Sequence, residues 1–166
     1  DGEKRLTSIT VAVLLPGALE GGSLVSVPVS ADTVAGANGQ RVPFTEVWST
    51  GGKDALVAAV ESTLGITVNQ AEVADASGVA SLLAPVAPID ATFASEVQTT
   101  QDKETVELFP AGKSTLSADD AAAALNARTD AQNERSRRPT LEAVWNGVAK
   151  AVGQGRTKVQ PSVMPT

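Results

Sequence analysis

The chain contains no cysteine and no histidine. Disulfides, zinc sites built on thiolates or imidazoles, cysteine nucleophiles and every mechanism that needs an imidazole base are thereby excluded. Chemistry here falls to carboxylates, hydroxyls, Lys or Arg. The missing thiols assign no compartment, because a thiol-free chain suits reducing and oxidising surroundings alike. Tyrosine is absent too and aromatics make up 3% of the residues, too few for a base-stacking platform, so nucleic acid is not an expected partner. No stretch approaches the roughly 20 apolar residues of a membrane span, and the chain reads as a soluble domain. Its start, Asp1-Gly2-Glu3-Lys4-Arg5, has neither a Met nor the apolar core of a signal peptide, as expected of a piece of a longer protein. What is present, 166 residues with 42% apolar and 19% charged, suffices to bury one ordinary core.

Charge divides unevenly along the chain. Residues 1 to 126 hold 6 Lys and Arg against 16 Asp and Glu, a net of −10, whereas residues 127 to 166 hold 7 against 3, a net of +4. Arg128, Arg135, Arg137 and Arg138 fall within eleven residues of this basic quarter. Such a local cluster on an acidic protein reads either as an anion site or as a solvated charged face.

The apolar pattern supplies the elements. Thr7 to Leu15 is β-branched and nearly all apolar, the pattern of a strand covered on both faces. After the Gly-rich stretch Pro16 to Gly22, Ser23 to Pro28 alternates polar and apolar, so the two segments pair as a hairpin. Leu56, Val57, Val60 and Leu64 recur at helical spacing from Lys53 onward, and Gly65 stands where a left-handed cap would end that helix. Ile66 to Ala74 reads as a short strand, and residues around Gly78 to Leu83 as a helix ended by Pro85 and Pro88. Ser117, with Asp120 three residues on, caps an Ala-rich helix. Leu141, Val144, Trp145, Val148 and Val152 form a helical stripe closed by Gly153, with Trp145 a core residue. Residues 154–166 carry two prolines and no periodicity and read as a tail. Strands interleaved with such helices indicate an α/β fold, a three-layer α/β/α sandwich with a mixed central sheet.

The order of these segments resembles the LytR-CpsA-Psr family, envelope phosphotransferases that move a glycopolymer phosphate from a polyprenyl carrier onto peptidoglycan. Arg5-Leu6-Thr7-Ser8-Ile9-Thr10-Val11 resembles the family's Arg-Ser-Asp-Thr-Ile-Met-Leu strand, and Leu24-Val25-Ser26-Val27-Pro28 its Leu-Leu-Ser-Ile-Pro. Asp54 to Ile66 is similar to its helix ending in Leu-Leu-Gly-Ile. Phe109-Pro110-Ala111-Gly112-Lys113-Ser114-Thr115-Leu116-Ser117 looks like its Pro-Ala-Gly-x-x-x-Leu lead-in to an Ala-rich helix. Arg128 falls at its second helix-end arginine, and Arg135 and Arg138 fit its Arg-Gln-x-Arg-Gln signature. Each fragment is weak alone; the five in order carry the resemblance.

The resemblance implies one domain over residues 1–153, lacking the family's N-terminal part. It implies a phosphate or pyrophosphate site at Arg128, Arg135 and Arg138, since guanidinium forks grip phosphate in a way lysine cannot. It also implies a polyprenyl-linked or other anionic lipid as partner, a cell-wall glycopolymer beyond it, and an extracytoplasmic place in the envelope on a membrane-anchored parent. Val, Ala and Leu side chains would line the lipid's slot, or else simply pack the core.

Departures from the pattern bear on catalysis. The family's Pro is followed by Arg-Asp, whereas Pro28 is followed by Val29-Ser30-Ala31-Asp32. The strand aspartate that helps hold magnesium aligns with Thr7, and the loop supplying a second one would precede Asp1. Asn126 stands for the first helix-end arginine, Gln132 lies where an aspartate would fall, and Pro139 replaces a glutamine. Pro139, favoured in a first helical turn and lacking an N–H, would place Arg135 and Arg138 in a loop. Asp130, Asp32 and Glu134 are substitutes for the missing carboxylates, Asp130 first because it neighbours Arg128 and Arg135 in sequence; a local ion pair explains it equally. No metal site is expected, and magnesium enters only if the chain is active. The sequence thus leads to a binding domain with impaired or no catalysis, with an active phosphotransferase and a structural partner-binding domain with a closed groove as alternatives.

Overall fold

The computed structural model describes residues 5–14, 22–33, 39–129 and 134–153. The tail at 154–166, Asp130 and Gln132 lie outside them. The chain divides into two compact units, residues 1–73 and 74–166.

In the first unit, β1 (Ile9–Leu14) and β2 (Gly22–Val27) form the expected antiparallel hairpin, with Ile9 opposite Val27 and Leu14 opposite Gly22. β1 is not covered on both faces: Ile9 and Val11 pack against the buried cluster, whereas Thr10, Ala12 and Val13 are exposed. β-branched composition marks a strand but not how many of its faces are buried. β3 (Asp32–Thr33) pairs antiparallel with β4 (Val42–Pro43). α1 (Phe44–Leu64) follows as two helical segments joined at Gly52, whose φ of 64° and ψ of −152° suit glycine alone.

The first amides of α1 are satisfied by the chain after β2, Phe44 N–H donating to Ala31 O and Thr45 N–H to Val29 O at 3.3 and 3.1 Å. Its end is the left-handed Gly65 cap read from the sequence, with Gly65 N–H on Glu61 O at 2.8 Å. Val27, Phe44, Val47, Ala59 and Val60 form the buried cluster of this unit. Residues 66 to 74 are irregular rather than a strand. Glu61 Oε1 accepts the Val68 N–H at 2.7 Å, so a side chain takes a donor that a strand would have offered to a neighbour.

The second unit opens with α2 (Ala76–Leu83), capped by Asp75 Oδ1 on Gly78 N–H at 2.9 Å and followed by a 3-10 turn at Ala84–Val86 that contains Pro85. β5 (Ile89–Phe93) pairs antiparallel with β8 (Gly112–Leu116), and β6 (Val97–Gln101) with β7 (Glu104–Phe109). Asp102 and Lys103, both at positive φ, make the tight turn of the second pair. β5 alternates strictly, Ile89, Ala91 and Phe93 buried and Asp90 and Thr92 exposed.

α3 (Ala118–Asn126) begins with the capping box expected at Ser117 and Asp120: Ser117 Oγ accepts the Asp120 N–H, and Asp120 Oδ2 the Ser117 N–H, both at 3.1 Å. α4 (Glu134–Gly153) carries Pro139 inside it. It buries Leu141, Val144, Val148 and Ala151 against β5 and α3, with Trp145 packed at the edge of that core, while Val152 is exposed. Where α4 meets β5 there is no room for a side chain: a Cβ on Gly147 would stand 2.5 Å from the Asp90 carbonyl oxygen.

Candidate functional site

The predicted arginines lie around the junction between α3 and α4. α3 ends at Asn126, whose Nδ2 turns back to donate to Ala122 O at 2.9 Å. The chain then leaves in an extended conformation at Ala127 and runs beside β6. Thr100 N–H donates to Arg128 O at 2.9 Å, and Thr99 Oγ1 meets Arg128 O at 3.3 Å and Arg128 N at 3.4 Å. Ala127 and Thr129 are buried on either side of a half-buried Arg128. Among the described residues, nothing hydrogen-bonds or pairs with the Arg128 guanidinium.

Arg135 and Arg138 sit in the opening turns of α4, not in a loop. Pro139 withholds only the N–H that would reach the carbonyl of Arg135, near the helix start, and the apolar stripe from Leu141 onward holds the rest in place. Three residues apart, Arg135 and Arg138 share one side of the helix, and both are exposed. Arg138 Nε donates to Glu142 Oε1 at 2.7 Å, a surface pair one turn apart. Arg135 has no such partner among the described residues.

Arg137 points the other way and is 4% exposed. With Leu141, Val144, Val148 and Ala151 it continues the inward stripe of α4 by one turn. Its Nε donates to Ala127 O at 3.0 Å and its Nη2 to Leu125 O at 2.9 Å. The cation therefore sits on the carbonyl end of α3, where the helix dipole favours positive charge. Val97, Gln98, Ala124, Ala127, Thr140 and Leu141 surround it and leave a depression with room for about one water. The sequence reading grouped Arg137 with the cluster and gave it no role; its place four residues before Leu141, in phase with the apolar stripe, was the available signal.

Asp32 is exposed on β3 in the first unit, Glu134 opens α4, and Asp130 lies outside the described residues. Thr7 offers a hydroxyl where the family's magnesium ligand is a carboxylate, and the described residues contain no group of three or more acidic side chains placed to hold a metal. Val29, where the family carries an arginine after its proline, is buried at 4% exposure. No helix among the described residues is long and apolar enough to cross a membrane.

Comparison of the coordinates with solved structures places this arrangement. TagV of B. subtilis matches at a TM-score of 0.66 and 21% identity, over 89% of this chain and 57% of its own. A LytR-Csp2A-Psr enzyme from Actinomyces oris matches at 0.60 and 17%, over 90% and 57%. The fold is that of LytR-CpsA-Psr proteins. TagT, whose structure has LI-WTA bound, matches at 0.57 and 16%, over 93% of this chain and 67% of its own. The resemblance read from scattered fragments is thus one of fold over most of the chain, which spans little more than half the length of TagV. Within that mixed α/β fold, the described strands pair as two-stranded antiparallel sheets. No protein-family model matches the sequence, and no curated protein does.

Proposed function

We propose that this chain is a divergent extracytoplasmic domain of the cell envelope that binds a polyprenyl phosphate, polyprenyl pyrophosphate or similar anionic lipid and has impaired or no phosphotransfer activity. Residues 1–153 make up the domain, within the three-layer sandwich and mixed central sheet implied by the resemblance. The parent protein is anchored in the cytoplasmic membrane, and a cell-wall glycopolymer is a further partner. The observation that carries the proposal is the pair of guanidinium groups at Arg128 and Arg135, left without counter-ions among the described residues of a LytR-CpsA-Psr fold. For the half-buried Arg128 a missing partner is costly unless a ligand supplies the charge, whereas the exposed Arg135 is solvated and simply available to an anion. Arg138, already paired with Glu142 at the surface, exchanges that weak pair for phosphate.

Impaired catalysis follows from the donor set. Phosphoryl transfer relies on a metal to neutralise developing charge, and magnesium normally takes one or two carboxylates. Thr7 and Val29 stand where the family has an aspartate and an arginine. The direct experiment is titration of the purified chain with polyprenyl pyrophosphate, with and without magnesium, followed by an assay for released phosphate. Binding independent of magnesium with no release is expected. Magnesium-dependent turnover that vanishes in Arg138→Ala would instead establish an active phosphotransferase that attaches glycopolymers to peptidoglycan.

One observation favours the structural alternative, a partner-binding domain with a closed groove. The apolar residues available to line a lipid slot in the second unit, Leu116, Ala121, Leu125, Val144 and Val148 among them, are packed into a single cluster, and α4 lies backbone-close on β5. Failure of both the polyprenyl ligand and inorganic pyrophosphate to bind would decide for it. Equal affinity for the two would mean that the charged head is recognised and the tail is not.

A further inference from the structure

We infer that Arg137 is a positioning residue for Arg128, tying the extended segment that carries one proposed phosphate-binding arginine to the helix that carries the other two. The inference rests on the anion-binding reading above. At 4% exposure Arg137 cannot itself meet a lipid-borne phosphate. What it meets are the carbonyls of Leu125 and Ala127, on either side of the exit from α3. Arg128 is the next residue, and its own backbone is held by Thr99 and Thr100 of β6.

The backbone of Arg128 is therefore fixed between α4 and β6. A planar fork presents donors to the two carbonyls at a fixed angle; a lysine ammonium, a compact charge on a flexible stem, does not hold that angle. Arg135 and Arg138 leave α4 within two residues of Arg137, on its solvent side. The segment that carries Arg128 is thus tied by Arg137 to the helix that carries Arg135 and Arg138. Such prior placement reduces the ordering cost of binding a compact dianion.

The test is calorimetric titration of the full chain with inorganic pyrophosphate, comparing the parent with Arg128→Ala, Arg137→Lys and the double variant. Arg128→Ala is expected to weaken binding about tenfold, and Arg137→Lys by a similar factor, as loss or misplacement of one charged donor does. The double variant loses little more than either alone, because both changes remove the same contact. Amide exchange at Thr100, whose N–H is bonded to Arg128 O, quickens in Arg137→Lys while Ile89 and Leu116 stay protected. Parental affinity in Arg137→Lys, or losses that simply add, overturn the inference and leave the anion-binding reading standing. A parent chain that does not bind pyrophosphate overturns both. If Arg137→Lys does not fold, Thr99→Val loosens the same segment from β6 and decides by the same outcomes, unchanged affinity counting against.

Discussion

At the scale of single residues, burial separates arginines that the sequence presents as one cluster. Arg138→Ala removes an exposed pair, so its unfolding free energy from urea titration should stay within about 0.5 kcal/mol of the parent, while its pyrophosphate affinity falls. Arg137→Met strips two carbonyls of their donors in a buried place and should cost about 2–4 kcal/mol by the same measurement, more than a surface substitution ever does. Gly147 gives a third expectation. Alanine in place of a helical glycine is ordinarily worth about 1 kcal/mol, but here the added methyl meets the Asp90 carbonyl oxygen at 2.5 Å and Ile89 Cγ2 at 2.7 Å. Neither is the free end of a flexible side chain, so overpacking of about 1–3 kcal/mol outweighs the gain and Gly147→Ala should unfold at lower urea. Asn146→Ala, on the exposed side, should not.

At the scale of elements, what could be read from the sequence was what local chemistry decides. The Ser117–Asp120 box, the Gly65 cap and the stripe from Leu141 are short-range signals; the first two stand where the sequence put them, and the stripe does as far as Val148, Val152 being exposed. Ser117→Ala should destabilise the chain by about 1 kcal/mol, seen as a lower midpoint in thermal unfolding. Pairing across distance was not legible: nothing within Ile89–Phe93 says that its partner is Gly112–Leu116, and nothing within residues 66–74 says that no partner exists. Pro139 misled for the opposite reason. Its local preference was read correctly, but the stripe that begins two residues later outweighs one missing hydrogen bond. At the candidate site, motif position singled out Arg128, Arg135 and Arg138 as the proposed anion ligands, whereas the bonds of Arg137 to the Leu125 and Ala127 carbonyls came from the packing of α4, its phase with the apolar stripe being the one trace in the sequence.

At the scale of the whole molecule, the charge division matters most. An acidic chain, net −6 in all, presents its proposed anion site in the quarter that is net +4, so attraction for a dianion is local and opposed by the remainder. Pyrophosphate affinity should therefore fall steeply as ionic strength rises, the screening distance shrinking from about 10 Å at 0.1 M to about 3 Å at 1 M. An affinity flat across that range would point to exposed arginines that do not act together.

Arg137 and Gly147 are both seated, one on the end of α3 and the other on the Asp90 backbone. They are ten residues apart on one helix, and each residue advances it by about 100°. The stretch between them works as a ruler. It accepts exchanges of one side chain for another, but one residue added or removed there would swing either the basic end or the close-packed end out of its seat, so natural variants of this segment should differ in letter and not in length.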